Sequence, residues 1–457
     1  MDFIRKLTAI LNFIKKLIKT SEQPTQVARV SAPATGIEKK IYTRSEHSVS
    51  RAHISKNALK VLYKLQDAGY EAYLVGGCVR DLLLGREPKD FDVATSAEPD
   101  QVKAVFRNCR LIGRRFRLAH VYFGRELIEV ATFRSSGESS DGERVLKDGQ
   151  LLRDNLYGTL EEDVIRRDFT VNALYYTVKD FSVVDYVQGM EDHKAGLLRM
   201  IGDPDKRYRE DPVRMLRAVR FAVKLGFDIE DESAELIPKL SPLLADIPSA
   251  RLYDELLKLF LSGYSLQAFE QLRHYRLFEQ LFPETDKSLA VEEEGFPHVF
   301  LARALENTDK RIADGKPVTP YFLMAALLWE PLRQRIAQKT ASGLPDYPAY
   351  QEAASELLSL QVKRLAIPKR VSIPMREVWI MQTRFRFQQG ARPFRHLSHP
   401  RFRAAYDFLL LRTECGEIEP SVAEWWTKFQ FADEATQKKM TQGRRKQQPR
   451  KRKVKTT

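Results

Sequence analysis

The chain has 457 residues, 43% hydrophobic and 30% charged. That composition excludes wholesale disorder and collagen-like repeats and leaves room for two to four domains. No run of about 18 apolar residues occurs, so no membrane-spanning helix is expected. Three dispersed cysteines (Cys78, Cys109, Cys415) suit neither a disulfide framework nor a CxxC metal site and point to a reducing, cytoplasmic setting. The formal net charge of +14 is concentrated at the ends: Lys438 to Thr457 holds ten basic residues and no acid, and Met1 to Thr20 holds five basic residues and one acid. Residues 21–437 are left near neutrality, so the basicity is assigned to two appendages that would attract polyanions.

In chain order, Phe3, Ile4, Leu7, Ile10, Leu11, Ile14, Leu17 and Ile18 recur at helical spacing among lysines, which predicts a basic amphipathic helix over 1–20. It lacks the cleavage site of a secretory signal. Docking on protein and reversible attachment to an anionic membrane surface both remain open for it. Residues 21–50, rich in Ser, Thr, Pro and charge, read as a linker. Then Ile54, Ala58, Val61, Leu62 and Leu65 form a helix stripe closed by Gly69. Ala72–Val75 reads as a buried strand running into Gly76-Gly77, Val79–Leu84 as a short helix and Asp90–Thr95 as a second strand. Gln101–Arg107 is helical, and His120–Phe123 and Leu127–Thr132 are strands around a Gly124-Arg125 turn. Ser135–Gln150 is polar and is expected to be a mobile loop. After about Gly189 the strand signals stop. Helical patterns follow at Asp211–Leu225, Ala250–Leu261, Leu266–Leu281, Tyr321–Leu332, Tyr350–Leu365 and Arg401–Leu411. The expected class is α+β: a head with a small, largely antiparallel sheet over 51–190, then all-α segments over 191–285 and 286–430, and a disordered basic tail over 431–457.

The chemistry concentrates in Leu74-Val-Gly-Gly-Cys-Val-Arg-Asp81 and Asp90-Phe-Asp92. Carboxylates at i and i+2 of a strand project from one face and can share a cation, and Mg²⁺ favours a few carboxylates beside phosphate oxygens. Gly76 and Gly77 carry no side chains to block a triphosphate, the helix start behind them favours negative charge, and Arg80 is placed to pair with a phosphate. No GxxxxGK[ST] loop and no spaced GxGxxG occurs, so P-loop and Rossmann assignments lack their own motifs. A third carboxylate is sought for a two-metal site. Asp168, in a helix read over Arg166–Ala173 with Ile165, Phe169, Ala173 and Tyr176 buried, is placed first. Glu129, a charged residue between apolar strand neighbours, is the alternative. Asp211 and Pro212 suit the start of the next helix, whose Arg214, Arg217, Arg220 and Lys224 line one side as either a solvated face or a base- and phosphate-contacting stripe.

At these residues the chain resembles the class II nucleotidyltransferases, the family of bacterial poly(A) polymerases and CCA-adding enzymes. Leu74–Asp81 with Asp90–Asp92, Arg166–Ala173 and Glu210–Arg214 resemble its ordered motifs, and the likeness runs from about Ala52 to Gln430. Leu111–Val121, Leu365–Arg370, His399–Tyr406 and the basic C-terminus resemble the poly(A) branch. Cys78 departs from the small Gly or Ala expected there.

The resemblance implies a head, neck, body and leg, with Asp90, Asp92 and Asp168 catalytic and Asp90 and Asp92 holding Mg²⁺, or Mn²⁺ in its place. Gly76, Gly77, Arg80, Asp81, Arg167, Asp211, Arg214 and Arg217 would bind the nucleotide, with Asp211 and Arg214 reading the base. The implied reaction is template-independent addition of adenylate from ATP to RNA 3′ ends, with CCA addition to tRNA as the alternative. A cationic tail through Arg444, Arg445, Lys446, Arg450, Lys451, Arg452 and Lys453 would hold RNA. The implied protein is a cytoplasmic monomer with RNA-decay partners, touching the inner face of the cell membrane if residues 1–20 bind lipid.

Overall fold

The computed structural model describes residues 38–113, 117–135, 144–147, 150–154, 157–290 and 299–442. The expectations for the 1–20 helix, for residues 21–37 and for Arg444–Lys453 lie outside the described residues. From Lys40 onward the chain opens with a mixed eight-stranded sheet. Its strands are β1 (Lys40–Tyr42), β2 (Ala72–Val75), β3 (Asp92–Thr95), β4 (Cys109–Ile112), β5 (Leu118–Phe123), β6 (Glu126–Thr132), β9 (Tyr175–Tyr176) and β10 (Val183–Asp185), in the order β1-β10-β9-β2-β3-β6-β5-β4. Strands β7 (Arg144–Lys147) and β8 (Gln150–Asp154) pair separately as a hairpin. Every neighbouring pair in the large sheet is antiparallel except β3 with β6.

The Lys56–Asp67 helix shows how local chemistry sets an element. Ser55 Oγ accepts the Asn57 and Ala58 amide hydrogens at 3.1 and 3.4 Å, and the stripe Ala58, Val61, Leu62 and Leu65 is buried as the spacing predicts. Gly69 ends the helix at φ +87°, a conformation costly for any side chain. One sheet face packs Leu74, Val93, Val121 and Val130 against this helix; the other carries Val75, Ala94, Phe133 and Tyr175 against Leu160 and Val164.

Several expectations are corrected. The linker reading of 21–50 fails at Lys40–Tyr42, which pairs with Val183–Asp185 as the sheet's edge strand. The loop expected over Ser135–Gln150 contains β7 and reaches β8; its residues 136–143 and 148–149 lie outside the described residues. Two further strands, β11 (Leu197–Leu198) and β12 (Asp228–Ile229), form a parallel pair after Gly189. The single helix read over Leu266–Leu281 breaks where Arg276 takes φ 58°, and Tyr321–Leu332 is split at Leu328. The helix read through Arg166–Tyr176 does not form either. Leu160–Ile165 is helical, Thr170–Asn172 is a single tight turn, Tyr175–Tyr176 is strand and Ile165 is exposed. The reason is non-local: Thr170 donates its amide hydrogen to the Arg199 carbonyl, and Ile201 donates to the Asp168 carbonyl, which takes the backbone out of the helical ladder.

That diversion sends Phe169 and Val171 into the helical core with Phe221, Leu216 and Leu252. The rings of Phe169 and Phe221 meet edge to face at 5.8 Å, so Phe169→Ala is expected to cost about 3–5 kcal/mol. Helices then follow to Thr441, around Trp329 and Trp379 and, nearer the C-terminus, around Trp426. Among the described residues no helix is long and apolar enough to cross a membrane.

Candidate active site

Strand register assembles the acidic centre. Val75 lies opposite Asp92 in the antiparallel β2–β3 pair, so the Gly76-Gly77 turn leaves the sheet beside Asp90-Phe91. Asp90 and Asp92 are exposed and Phe91 is buried between them, but the strand expected over Asp90–Thr95 begins only at Asp92, so Asp90 lies in the segment that leads into it. In the parallel β3–β6 pair Asp92 lies opposite Glu129, and Glu129 lies opposite His120 on β5. Residues in register share a face, so Asp92, Glu129 and His120 form a row across three strands. His120 Nε2 is 3.5 Å from Glu129 Oε2. Neither Asp90 nor Asp92 has an ion-pair partner among the described residues. The Asp92 carboxyl opens to solvent but is ringed by protein. Burial, then the charges of Glu129 and Asp90, push it up to about 6 against a weaker pull from Arg167.

Gly76 has φ +76°, so glycine is required there by backbone conformation more than by space. A Cβ at Gly76 would lie 3.7 Å from Arg167 Nη1, which makes Arg167 the cation over the glycine turn. Its other nitrogens are fixed: Nε donates to the Tyr175 hydroxyl at 2.6 Å and Nη2 to Asp163 Oδ2 at 2.8 Å. Asp163, 1% exposed, also accepts from Arg166 Nε at 2.9 Å and from the Tyr175 hydroxyl at 2.6 Å. Burial works against its charge, and Arg167 and Arg166 hold it below the usual carboxylate range.

Other expected residues are placed differently. Arg80 is 2% exposed and does not reach out toward a ligand. Its Nε and Nη2 donate to Asp81 Oδ1, its Nη1 donates to Asn172 Oδ1 at 2.6 Å, and the guanidinium lies 5.2 Å from the Phe221 ring centre. Being one turn into the Gly77–Leu83 helix, it falls on the buried side and braces the glycine turn from beneath. Asp168 is not in the acidic row. Its Oδ2 accepts from Arg217 Nε and Nη2 at 2.9 and 2.5 Å, and its Oδ1 accepts from Asn172 and from the Phe169 amide hydrogen. Burial opposes its charge too, but Arg217 holds the carboxyl below its ordinary range.

Each cation of the stripe on the Val213–Leu225 helix is partly buried and has a partner. Arg214 Nη1 donates to the Arg207 carbonyl at 2.7 Å and to Glu210 at 3.1 Å; Arg217 holds Asp168, Arg220 holds buried Glu255, and Lys224 lies 4.0 Å from Asp81. The helix starts one residue later than expected, with Pro212 at the N-cap; Asp211, just before it, accepts the Val213 amide hydrogen at 3.3 Å, while its other oxygen accepts from Arg251 at 2.6 Å. Residues that sequence reading passed over complete the junction. Arg207 Nη2 donates to the carbonyls of Arg166 and Arg167, pinning the segment that carries Arg167, and Asp163, Tyr175, Arg251 and Glu255 each hold an arginine or an acid named above. Only Asp163 had a local signal, its spacing of three and four to Arg166 and Arg167.

Comparison with known proteins matches this arrangement to three family models. They are the poly A polymerase head domain over residues 72–199, a probable RNA and SrmB-binding site of polymerase A over 226–289, and the polymerase A arginine-rich C-terminus over 342–457. Poly(A) polymerase I of Salmonella typhi is 49% identical over 97% of this chain and 98% of its own, and that of Haemophilus influenzae 45% identical over 93% and 96%. The CCA-adding enzyme of Lactobacillus helveticus is 40% identical over 49% of this chain and 54% of its own. Among solved structures, the Bacillus stearothermophilus CCA-adding enzyme in complex with CTP has a TM-score of 0.53 at 25% identity, covering 81% of this chain and 80% of that one. A Thermotoga maritima CCA-adding enzyme bound to tRNA shares the fold, with a TM-score of 0.54 at 19% identity over 89% and 91%. With near-complete coverage on both sides, the chain belongs to the bacterial poly(A) polymerase I family of nucleotidyltransferases.

Proposed function

We propose that the enzyme adds adenylate residues to RNA 3′ ends from ATP without a template, releasing pyrophosphate. The observation that carries the residue assignment is the row Asp92–Glu129 with Asp90 beside it, next to the Gly76-Gly77 turn and under-supplied with cations. Asp90 and Asp92 hold divalent metal in this reading, Mg²⁺ first and Mn²⁺ as a substitute. The donor set fits: Asp92, raised first by burial and then by repulsion from Glu129 and Asp90, offers the hard oxygens whose repulsion such an ion relieves. Glu129, in register with Asp92, is the third carboxylate of this reading, although among the described residues no three acids are gathered as one metal site, and Asp168, paired with Arg217, serves as a strut between head and neck. Bound divalent ions would supply charge neutralisation on the triphosphate and acidification of the RNA 3′-hydroxyl.

The chain's own residues do the rest. The bare backbone at Gly76-Gly77 lets a triphosphate approach, and Arg167, fixed by Asp163 and Tyr175, presents a positioned cation to it. Asp211 accepts from, and the unshared nitrogens of Arg214 donate to, the edge of the incoming base. Arg444, Arg445, Lys446, Arg450, Lys451, Arg452 and Lys453 hold the RNA between cycles. Deleting residues 438–457 should therefore flatten the salt dependence of RNA binding by about 0.7 for each phosphate that the tail neutralises.

Full-length coverage by poly(A) polymerase I relatives, against half-length coverage by CCA-adding enzymes, favours adenylation over CCA addition. The deciding assay offers a non-tRNA primer with ATP alone, then a tRNA lacking CCA with CTP and ATP. Long adenylate tracts on the first support the reading; a defined CTP-dependent stop on the second refutes it.

A further inference from the structure

The near-zero total charge of residues 21–437 hides a strong local asymmetry. Between Lys363 and Arg403 the sequence is dense in lysine and arginine, and Glu377 is its one acidic residue. The assignment of basicity to the two appendages alone is therefore incomplete, because part of it is built into the folded C-terminal helices.

The segment after the Lys369–Gln382 helix is fixed by one aromatic anchor. Phe385 is 1% exposed, with its ring 4.5 Å from His396 and 5.2 Å from Trp426, and its carbonyl accepts from Trp426 Nε1 at 2.7 Å. Its neighbours Arg384 and Arg386 are exposed on either side. Phe387 is half-buried, and two guanidinium groups face its ring, Arg386 at 4.9 Å and Arg392 at 4.6 Å from the centre. Arg386 is further held by Asp346. Exposed Arg384, Arg392 and Arg395 have no acidic partner among the described residues. Between them, the Gly390 amide hydrogen donates to the Thr441 carbonyl at 3.0 Å. This loop therefore touches the end of the Glu434–Thr441 helix, the last described element before the arginine- and lysine-rich sequence.

From this geometry we infer that Arg384, Arg386, Phe387, Arg392 and Arg395 form a folded platform for single-stranded RNA at the root of the basic tail. The inference rests on the RNA-substrate reading above. Unpaired guanidinium groups held near one another repel, and a phosphate chain relieves them with charge-assisted hydrogen bonds. The two guanidinium groups near Phe387 add flat surfaces on which unpaired bases lie, which a duplex with its bases already stacked cannot use. An ordinary solvated charged face has neither the buried anchor nor two guanidinium groups gathered at one ring.

The test uses the full chain, tail included, with a labelled oligoadenylate and a duplex RNA hairpin. Arg384→Gln, Arg392→Gln and Arg395→Gln together should flatten the salt dependence of oligoadenylate binding by about 2, at about 0.7 per phosphate. Phe387→Leu, which keeps an apolar filler, should weaken oligoadenylate binding about tenfold and leave duplex binding within about twofold. Both variants should keep the parent's melting temperature. A triple variant with the parent's salt slope overturns the platform, and so does a Phe387→Leu variant that loses single strand and duplex alike. If the parent binds RNA in this way yet transfers no adenylate, the functional reading fails and the platform stands.

Discussion

Two groups of carboxylates lie within one stretch of chain and differ in what neutralises them. At the sheet's acidic row, Asp92 lies opposite Glu129 with Asp90 two residues away, no arginine is ion-paired to any of the three among the described residues, and Asp92 is pushed up to about 6. At the head–neck junction every acid has its cation: Asp163 with Arg166 and Arg167, Asp168 with Arg217, Asp211 with Arg251, Glu255 with Arg220. There Asp163 and Asp168 are held low despite burial. A paired, hydrogen-bonded carboxylate acts as a mechanical strut. A repelling group open to solvent is held in place at a cost in stability, which a ligand cation can offset. The same residue type thus has opposite surroundings in the two groups, and partner geometry decides which.

The sharpest way to break this contrast is to neutralise one acid from each group. Asp92→Asn is expected to abolish adenylate incorporation, a loss on the order of 10³-fold or more, with a melting temperature no lower than the parent's because a repulsion has been removed. Asp168→Asn should behave in the reverse manner, costing about 3 kcal/mol in urea unfolding by leaving Arg217 without its partner, with a smaller loss of activity. If Asp168→Asn proves as inactive as Asp92→Asn at full stability, Asp168 belongs with the metal-holding acids and Glu129 loses its place. A finer cut is Arg251→Ala. Arg251 is half exposed, so stability should change by less than about 1 kcal/mol, but freeing Asp211 should lower the preference for ATP over CTP about tenfold in a competition assay. An unchanged preference would mean that the pair does not position the base-facing acid.

The contrast also explains which parts of the molecule the sequence disclosed. The Gly76-Gly77 turn, the alternation Asp90-Phe91-Asp92 and the stripe of the Lys56–Asp67 helix are local patterns, each set by residues within a turn or two, and the structure has them where the spacing puts them. Glu129 could be named as a candidate, but its pairing with Asp92 depends on the parallel register of two distant strands, which spacing does not encode. The helix read around Asp168 does not form, because the hydrogen bonds that divert this backbone come from Arg199 and Ile201, far along the chain. The Lys40–Tyr42 strand is too short to show a period and exists only because Val183–Asp185 offers it an edge. The arginine stripe after Asp211 was visible as a stripe; its partners on other elements were not.

A third kind of polar group, neither paired nor open to water, extends the contrast to the C-terminal helices. His396 is 3% exposed, and neither ring nitrogen has a hydrogen-bond partner among the described residues. Phe385, Phe402 and Trp426 surround it at 4.5, 5.6 and 5.1 Å between ring centres. Burial, helped by the charges of Arg384 and His399, pushes its pKa down to about 3. Between that value and about 6.5 the unfolded chain binds a proton that the folded chain refuses, so stability is complete above about 6.5 and falls as the pH drops through the window, by about 1.4 kcal/mol per pH unit. His396→Leu keeps an apolar filler without a titrating group. The parent's urea midpoint should therefore fall relative to the variant's as the pH is lowered from 7 to 5. Parallel curves would show that the imidazole finds a partner in solution, and would place His396 with the struts.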